Sequence, residues 1–533
     1  IELLDCTLRD GAYVTDGSFG TAVIKGIIKK SQDAKIDIIE CGWLKDQPHV
    51  AGKSFFHVPG DIEQYITEKN PNSTYVAMID WDRYDLSQLP PNDGKAIDAI
   101  RVVFPQQKFR EGIALGKIIK DKGYRVYFQA ANTLGYSENE LVALADEINA
   151  AKPEALSVVD TFGAMYEEDL DKIIDILNQR LDSSIKLGFH SHNNQQLSFA
   201  LSAHFVNRLA ESGRGIIVDA SLNGMGRGAG NTPTELMVSY LNRKYHGSYD
   251  TDLLLSAIDM YITPFAESLK WGYSIPYFIA GMYCCHVNNI AYLLENYRTN
   301  SADMRNIFES LTPEERRKYD YDLLEHRYIE NLNKLIDDSA ATVELQGEFK
   351  DKKILLIMPG TSAVKEKAAI DLFISENRPL VIGVNALIDG YDYNYLFFTN
   401  SVRYDFAASF YPEKFNCFKK IITSNIKTTA EADERIINFN AVIKRGWQHF
   451  DNAGIMALRL LDKLHVKDVA IAGFDGFTSN RDLNYADTSL PPIDPQKPWD
   501  ELNEEIKSML DDFRMMTENR MTLSFITKSK FYK

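Results

Sequence analysis

The sequence predicts an α/β protein in three parts: a (β/α)8 barrel over residues 1–240, a helical appendage over 241–345 and an open Rossmann-like α/β domain over 346–533. Three observations predict it. Eight short apolar runs alternate with longer amphipathic stretches through the first 240 residues. The pattern then turns helical without strand-like runs. From Lys352 onward strands and helices alternate again, but with fewer strands.

The eight runs lie at 3–8, 36–41, 75–79, 99–104, 125–129, 155–159, 185–189 and 215–218. Each is nearly continuous in Val, Ile, Leu and Phe, as strands of a parallel sheet buried on both faces must be. The chain between them is long enough for crossover helices, and eight such units match the size of a TIM barrel. Between 241 and 345, segments 253–261 and 288–294 carry helical spacing, and 312–338 is dense in Glu, Arg, Lys and Leu. These read as helices packing on the barrel. The third part opens with a charged pair, an apolar strand, the turn MPGTSA at 358–363 and a helix-like KEKAAIDLFIS. Further strands are expected at 380–384, 395–398, 469–472 and 522–526, which gives an open α/β sheet.

At 533 residues the chain exceeds one ordinary core. With 45% hydrophobic and 25% charged residues it has globular usage, which excludes a disordered, collagenous or coiled-coil chain. Lys plus Arg number 59 against 75 Asp plus Glu, and a net charge of -16 argues against nucleic acid and anionic membrane as partners. Five cysteines without a CxxC pair indicate neither a disulfide framework nor a zinc cluster, so a reducing, cytoplasmic location is expected. No run is long and apolar enough to span a bilayer, and the first residues lack a secretory pattern.

In a barrel of this kind chemistry belongs at the carboxyl ends of the strands. Polar residues collect there: Thr7 to Gly11 after the first run, Glu40-Cys41-Gly42 after the second, Asp160-Thr161 after the sixth, His190 to Asn194 after the seventh and Asp219 to Asn223 after the eighth. Burying so many polar groups is costly unless they pair or bind something. His190 and His192 are two apart on a strand, so both face the same way. With Asp10, expected at the same level on the first strand, they make a three-ligand metal site with open positions.

DCTLRDG at 5–11, GFHSHNN at 188–194 and DASLNGMGRGAGNTPTE at 219–235 resemble the three signature blocks of the DRE-TIM metallolyases. That superfamily includes hydroxymethylglutaryl-CoA lyase, isopropylmalate and homocitrate synthases and 4-hydroxy-2-oxovalerate aldolase, with the aldolase branch nearest. The resemblance implies a divalent cation, Mn²⁺ or Mg²⁺ foremost and Zn²⁺ or Co²⁺ as alternatives, held by Asp10, His190 and His192 with Asn231 nearby. It implies that Arg9 stabilises an enolate oxygen. An acidic residue ending the second strand recurs in the family, which favours Glu40 as a functional group.

The chain also departs from that pattern. Where the aldolase branch has a His as general base, this sequence has Tyr13, and the acyl-CoA-condensing branch's Glu-Gln is Ala12-Tyr13. A tyrosine needs activation to act as a base at neutral pH. Tyr283 resembles a second tyrosine of the aldolase branch, and His286, one turn on, supplies an imidazole if its helix closes the mouth. Asn132, Thr161 and Asn223 end other strands, as does Asp80, and either line the substrate pocket or hold structural hydrogen bonds.

In the third part Gly360, Thr361 and Ser362 follow a strand and precede a helix, where backbone N–H groups can hold a phosphate. Asn385, Asn400 and Asp475 end further strands. The arrangement resembles the nucleotide-binding fold of sialyltransferases, which implies a nucleotide or nucleotide sugar. The expected function is a metal-dependent aldolase that cleaves a 2-oxo acid through a metal-bound enolate, releasing an aldehyde. Given the third part, it would act in carbohydrate or surface-polysaccharide metabolism, as a homo-oligomer. The alternatives are an acyl-CoA Claisen enzyme and a degenerate barrel scaffolding a nucleotide-binding module.

Overall fold

The computed structural model describes residues 1–296, 301–332, 335–428, 433–444, 446–447, 452–480, 483–490 and 498–532. The chain divides into two compact units, Ile1–Ala291 with Leu311–Tyr319, and Tyr292–Ser310 with Asp320–Lys533.

The first unit is a closed parallel barrel. Its strands are β1 (Glu2–Asp5), β2 (Ile38–Leu44), β4 (Thr74–Asp80), β5 (Ala99–Pro105), β6 (Arg125–Ala131), β7 (Ala155–Asp160), β8 (Lys186–Ser191) and β9 (Ile216–Ala220). A two-residue β3 (Phe55–Phe56) is appended to β2. The ring closes because β1 pairs with β2 through Leu4 and Ile38 and with β9 through Leu3 and Val218. All eight expected strands are present. Alternation sends every second side chain inward. Leu4, Ile38, Val76, Ala99, Tyr127, Ala155 and Ile217 form an apolar inner layer. Two residues further along β2, β5 and β9 stand Glu40, Arg101 and Asp219, all buried, so the next layer toward the mouth is charged.

Outside the barrel the helices follow the sequence pattern. Helix Glu138–Ala151 is representative: Leu141, Leu144, Ala145 and Ile148 form its buried stripe, and Ser137 and Glu140 make a capping box at its start. It stops at Lys152, in left-handed conformation, just before Pro153. Two expectations are corrected. The first strand ends at Asp5, and Thr7–Asp10 is a helical turn, because the Asp5 carboxylate accepts the Thr7 N–H and Asp10 N donates to Cys6 O. And β4 reaches β5 with no helix at all: the connection contains Pro90, Pro91, Asn92, Asp93 and Gly94, a composition that stops helices. Helices Thr251–Ala257, Thr263–Ser268 and Ile275–Met282 belong to the barrel unit.

The second unit holds a seven-stranded, wholly parallel sheet in the order β14-β13-β12-β11-β10-β15-β16. The strands are β10 (Ile354–Ile357), β11 (Leu380–Val384), β12 (Tyr395–Phe398), β13 (Lys419–Thr423), β14 (Glu434–Ile437), β15 (Asp468–Ala472) and β16 (Thr522–Phe525). The order reverses between β10 and β15, the switch point at which open α/β sheets leave a crevice. Helices Ser301–Ser310, Tyr321–Leu332 and Ser339–Phe349 belong to this unit. Among the described residues no helix is long and apolar enough to cross a membrane.

Candidate active site

At the carboxyl end of the barrel the turn after β1 and the end of β8 meet. Asp10 Oδ2 lies 3.5 Å from His190 Nε2 and 3.6 Å from His192 Nε2, too far for hydrogen bonds. Both Asp10 oxygens, His190 Nε2 and Asn231 Oδ1 are buried without a hydrogen-bond partner among the described groups. The remote nitrogens of the rings are held from behind. His192 Nδ1 is hydrogen-bonded to the carbonyl oxygen of Asp160 at 3.1 Å, and His190 Nδ1 faces Asp219 Oδ2 at 3.1 Å in an ion-pair contact without hydrogen-bond alignment. Such backing frees Nε2 for a cation.

The space is kept open by Gly226. A Cβ there would sit 2.3 Å from Asn231 Nδ2 and 3.4 Å from Asp10 Oδ2. Two imidazoles, one carboxylate and an amide oxygen fit a divalent cation. Cys6 also brings its sulfur to Asp10 and His190, and burial raises the pKa of its free thiol well above the usual range.

Burial alone would raise the Asp10 carboxyl, but Arg9 and the two imidazoles outweigh it and hold it well below the usual carboxylate range. For His190 burial is likewise outweighed, by Asp10 and Asp219, and its pKa is raised; His192, where burial prevails, is held down to about 4.

Beneath the ligand cluster runs a fully buried ion network. Arg9 donates through Nε to Glu40 Oε2 at 2.7 Å and sets Nη1 3.3 Å from Asp10 Oδ1. Arg101 spans the barrel, placing Nη1 2.9 Å from Glu40 Oε1 and Nη2 on Asp219. Glu40 thus fixes Arg9, and Asp219 fixes His190, from a single guanidinium. Burial opposes the ionised form of Asp219, yet Arg101 and His190 hold its pKa down to about 2.

The remaining residues sit around the mouth. Helix Ile275–Met282 packs on the loop after β8: a Cβ on Gly281 would meet Gln195 Nε2, Asn194 Cβ and the Gly163 carbonyl within 3.1 Å. This brings His286 to Arg227, whose Nη1 is 3.3 Å from His286 Nε2, and to Phe162 and Tyr319. Tyr13 is 46% exposed, edge-on to Trp43 at 5.9 Å, with the Arg227 guanidinium 3.7 Å from its ring centroid. Burial and then Arg227 push the His286 pKa down to about 3. Tyr283 ends the helix beneath the Arg316 guanidinium, 5.3 Å away.

Thr161 and Asn132 are tied together, the Asn132 N–H donating to Thr161 Oγ1 at 2.6 Å. Asn223 is exposed, its backbone N–H donating to Glu235 and its carbonyl accepting from Trp271. Asp160 accepts the N–H groups of Ala164 and Met165, and burial raises it to about 6.

In the second unit Asp475 accepts from Thr361 Oγ1 at 3.2 Å, Ser362 N at 2.7 Å and Ser362 Oγ. Gly360 lets that carboxylate approach, since a Cβ would lie 2.6 Å from Asp475 Cγ. Asn385 bonds with Thr399, and Asn400 caps helix Ser401–Phe410 through Arg403 N. Beside the switch point a groove of about 350 Å³ is lined by Thr361, Ser362 and Asp475 together with Glu366, Lys365, Lys528 and Lys530.

Comparison with known proteins agrees with this geometry. The HMGL-like family model matches residues 105–260. The chain is 25% identical over 259 residues to an oxaloacetate decarboxylase of Mycobacterium tuberculosis, covering 48% of this chain and 74% of that one. It is 32% identical over 273 residues to a 4-hydroxy-2-oxovalerate aldolase of Thermomicrobium roseum, covering 49% of this chain and 72% of that one. The chain belongs to the DRE-TIM metallolyases. Among solved structures, the N-terminal domain of an aldolase candidate from Bacteroides vulgatus aligns with a TM-score of 0.47 at 25% identity, over 55% of this chain and 96% of that one. This DRE-TIM metallolyase is an enzyme of a lyase family that uses a divalent metal.

Sequence reasoning missed Arg101, the backing role of Asp219, and Arg227. Arg101 did leave a signal, a lone charge inside the apolar strand AIRVVFP. Arg227 lay in a glycine-rich loop with no periodicity to read.

Proposed function

We propose that this metallolyase is an aldolase that cleaves a 4-hydroxy-2-oxo acid into a 2-oxo acid and an aldehyde, with Asp10, His190 and His192 holding Mn²⁺ or Mg²⁺ and Asn231 beside them. The observation that carries the reading is the pair of imidazoles backed through Nδ1, with both Nε2 atoms turned to Asp10 and Arg9 alongside.

When bound, the cation supplies Lewis acidity to the 2-oxo oxygen. Arg9, anchored through Nε on Glu40, keeps Nη donors for the oxygen on which negative charge grows. In cleavage the C3–C4 bond breaks and its electron pair remains on the C2–C3 fragment as an enolate. The 4-hydroxyl loses its proton, and the C4 fragment departs as an aldehyde; protonation at C3 completes the 2-oxo acid. Tyr13 and His286, both neutral at pH 7, are the proposed proton-handling groups at the mouth, with Tyr283 behind them. One second reading is decarboxylation of a 2-oxo diacid, which reaches the same enolate with no hydroxyl proton to remove; the likeness to an oxaloacetate decarboxylase favours it.

Deuterium exchange into the methyl group of pyruvate, followed by a screen of pyruvate with varied aldehydes, tests the proposal. Exchange with aldehyde-dependent product supports the aldolase. Exchange without any aldol product, together with carbon dioxide release from oxaloacetate, replaces it by the decarboxylase.

For the second unit the supported reading is a nucleotide or nucleotide-sugar site in the groove at the switch point, with Lys365, Lys528 and Lys530 facing the phosphates. Titration of the full chain with cytidine, uridine, guanosine and adenosine nucleotides tests it. Heat that disappears in Lys528→Ala and Lys530→Ala supports the site; no heat from any of the four leaves a structural domain.

A further inference from the structure

Arg227 follows Gly226, the residue whose bare backbone stands against Asp10. Its guanidinium rests 3.7 Å from the Tyr13 ring centroid and 3.3 Å from His286 Nε2, and neither neighbour is an anion. Three other arginines near the mouth have carboxylates: Arg9 has Glu40 and Asp10, Arg101 has Glu40 and Asp219, and Arg83 has Asp80 at 4.0 Å. Among the described residues Arg227 makes no ion pair within 4.0 Å, although the chain carries 75 acidic residues against 59 basic ones. Scarcity of carboxylates is therefore not the reason.

A second cation shares this condition. Lys45, just past the end of β2, sets Nζ 3.6 Å from the Phe55 ring centroid and 6.0 Å from that of Trp43, again with no ion pair among the described residues. Tyr13 and Trp43 meet edge to face at 5.9 Å. The two rings form an aromatic shelf at the mouth, with Arg227 at one end and Lys45 at the other. Asp80 feels the charge of both, but it pairs with Arg83. A guanidinium backed by a ring face has a fixed orientation and an edge of donors left over, the geometry that binds carboxylate or phosphate in two-pronged fashion.

We propose that Arg227, with Lys45 across the aromatic shelf, receives an anionic group, carboxylate or phosphate, on the substrate fragment that leaves as the aldehyde. The inference rests on the aldolase reading for which fragment is meant. It adds what that reading lacks, a reason for the enzyme to prefer acidic acceptors.

Calorimetry on the Mn²⁺-loaded full chain compares 2-oxoglutarate with 2-oxopentanoate, equal in chain length and different in the terminal charge. Wild type should bind 2-oxoglutarate at least tenfold more tightly, and Arg227→Gln should bring the ratio close to one, with Arg227→Lys between them. Metal content and melting temperature, measured on each variant, exclude global damage, and Lys45→Met offers an independent removal of charge. A kinetic arm pairs pyruvate with succinic semialdehyde against butanal, and with glyceraldehyde 3-phosphate against glyceraldehyde, to separate carboxylate from phosphate. A wild type without preference for the charged member of any pair overturns the inference, as does an Arg227→Gln protein that keeps the preference. Absence of both turnover and methyl exchange would instead remove the aldolase reading, while the calorimetric ratio would still report on Arg227.

Discussion

Replacing Arg101 by Met removes the charge at the centre of the barrel while keeping a long apolar stem. Arg101 is 1% exposed and is the common partner of Glu40 and Asp219. Its loss leaves Glu40 with Arg9 alone and Asp219 with His190 alone. The magnitude follows from Asp219. Its carboxyl is held down to about 2, below the ordinary carboxylate range, which corresponds to a few kcal/mol, about 2–3, favouring the ionised form. That figure is shared between Arg101 and His190 and is net of burial, which opposes it. Breaking a buried network by removing one partner costs about 3–5 kcal/mol, so about 3 kcal/mol is expected for Arg101→Met. For a unit of about 300 residues that lowers the melting temperature by about 5 °C. Differential scanning calorimetry on metal-free protein reads the loss, and competition with a chelating dye reads metal affinity, which should fall because Asp219, without Arg101 to anchor it, no longer holds His190 at a fixed position. A variant within 1 °C of wild type, with undiminished metal affinity, would refute the idea that this guanidinium organises the site.

Other outcomes follow from the same geometry. Gly226→Ala should weaken metal binding at least tenfold without unfolding the barrel, since the new methyl group enters the space shared by Asn231 and Asp10; unchanged affinity in the dye assay would show that the space is not used. Arg9→Lys should lower turnover by ~10²–10³ while metal content holds, because one ammonium cannot replace the guanidinium fork; full activity would remove Arg9 from the chemistry. His286 contributes acid lability. Its folded pKa of about 3 lies below the ordinary 6.5, so the unfolded chain gains a proton first and stability is lost as pH falls below 6.5. At pH 5 this amounts to roughly 2 kcal/mol, so His286→Gln should gain on wild type between pH 8 and pH 5 by about that much in urea unfolding. Parallel pH curves for the two proteins would contradict the assignment.

The barrel could be read from the sequence because each of its strands is buried on both faces, which leaves an apolar run too short for a helix. The proposed metal-binding set was equally exposed to reading: His190 and His192 stand two apart at the end of such a run. What escaped needed the third dimension. Arg101 shows as an odd charge in β5, but only closure of the ring brings it to Glu40 and Asp219, respectively 61 residues earlier and 118 later in the chain. Strands β13 and β14 were missed because they carry Lys419, Lys420, Glu434 and Arg435, charges that read as surface, though Lys420 is fully buried. The turn at Thr7–Asp10 was read as strand because its closing hydrogen bond from Asp10 to Cys6 leaves no mark in the composition.

The barrel unit is interrupted: the chain leaves it after Ala291 and returns for Leu311–Tyr319. That short return supplies the Arg316 carbonyl that accepts the His286 N–H at 2.8 Å and the Tyr319 ring 4.9 Å from the imidazole. The second unit is thus not a detachable trailer. A truncation that removes Leu311–Tyr319 would strip the support from His286. Mutational dissection of this enzyme therefore belongs in side chains, not in truncations.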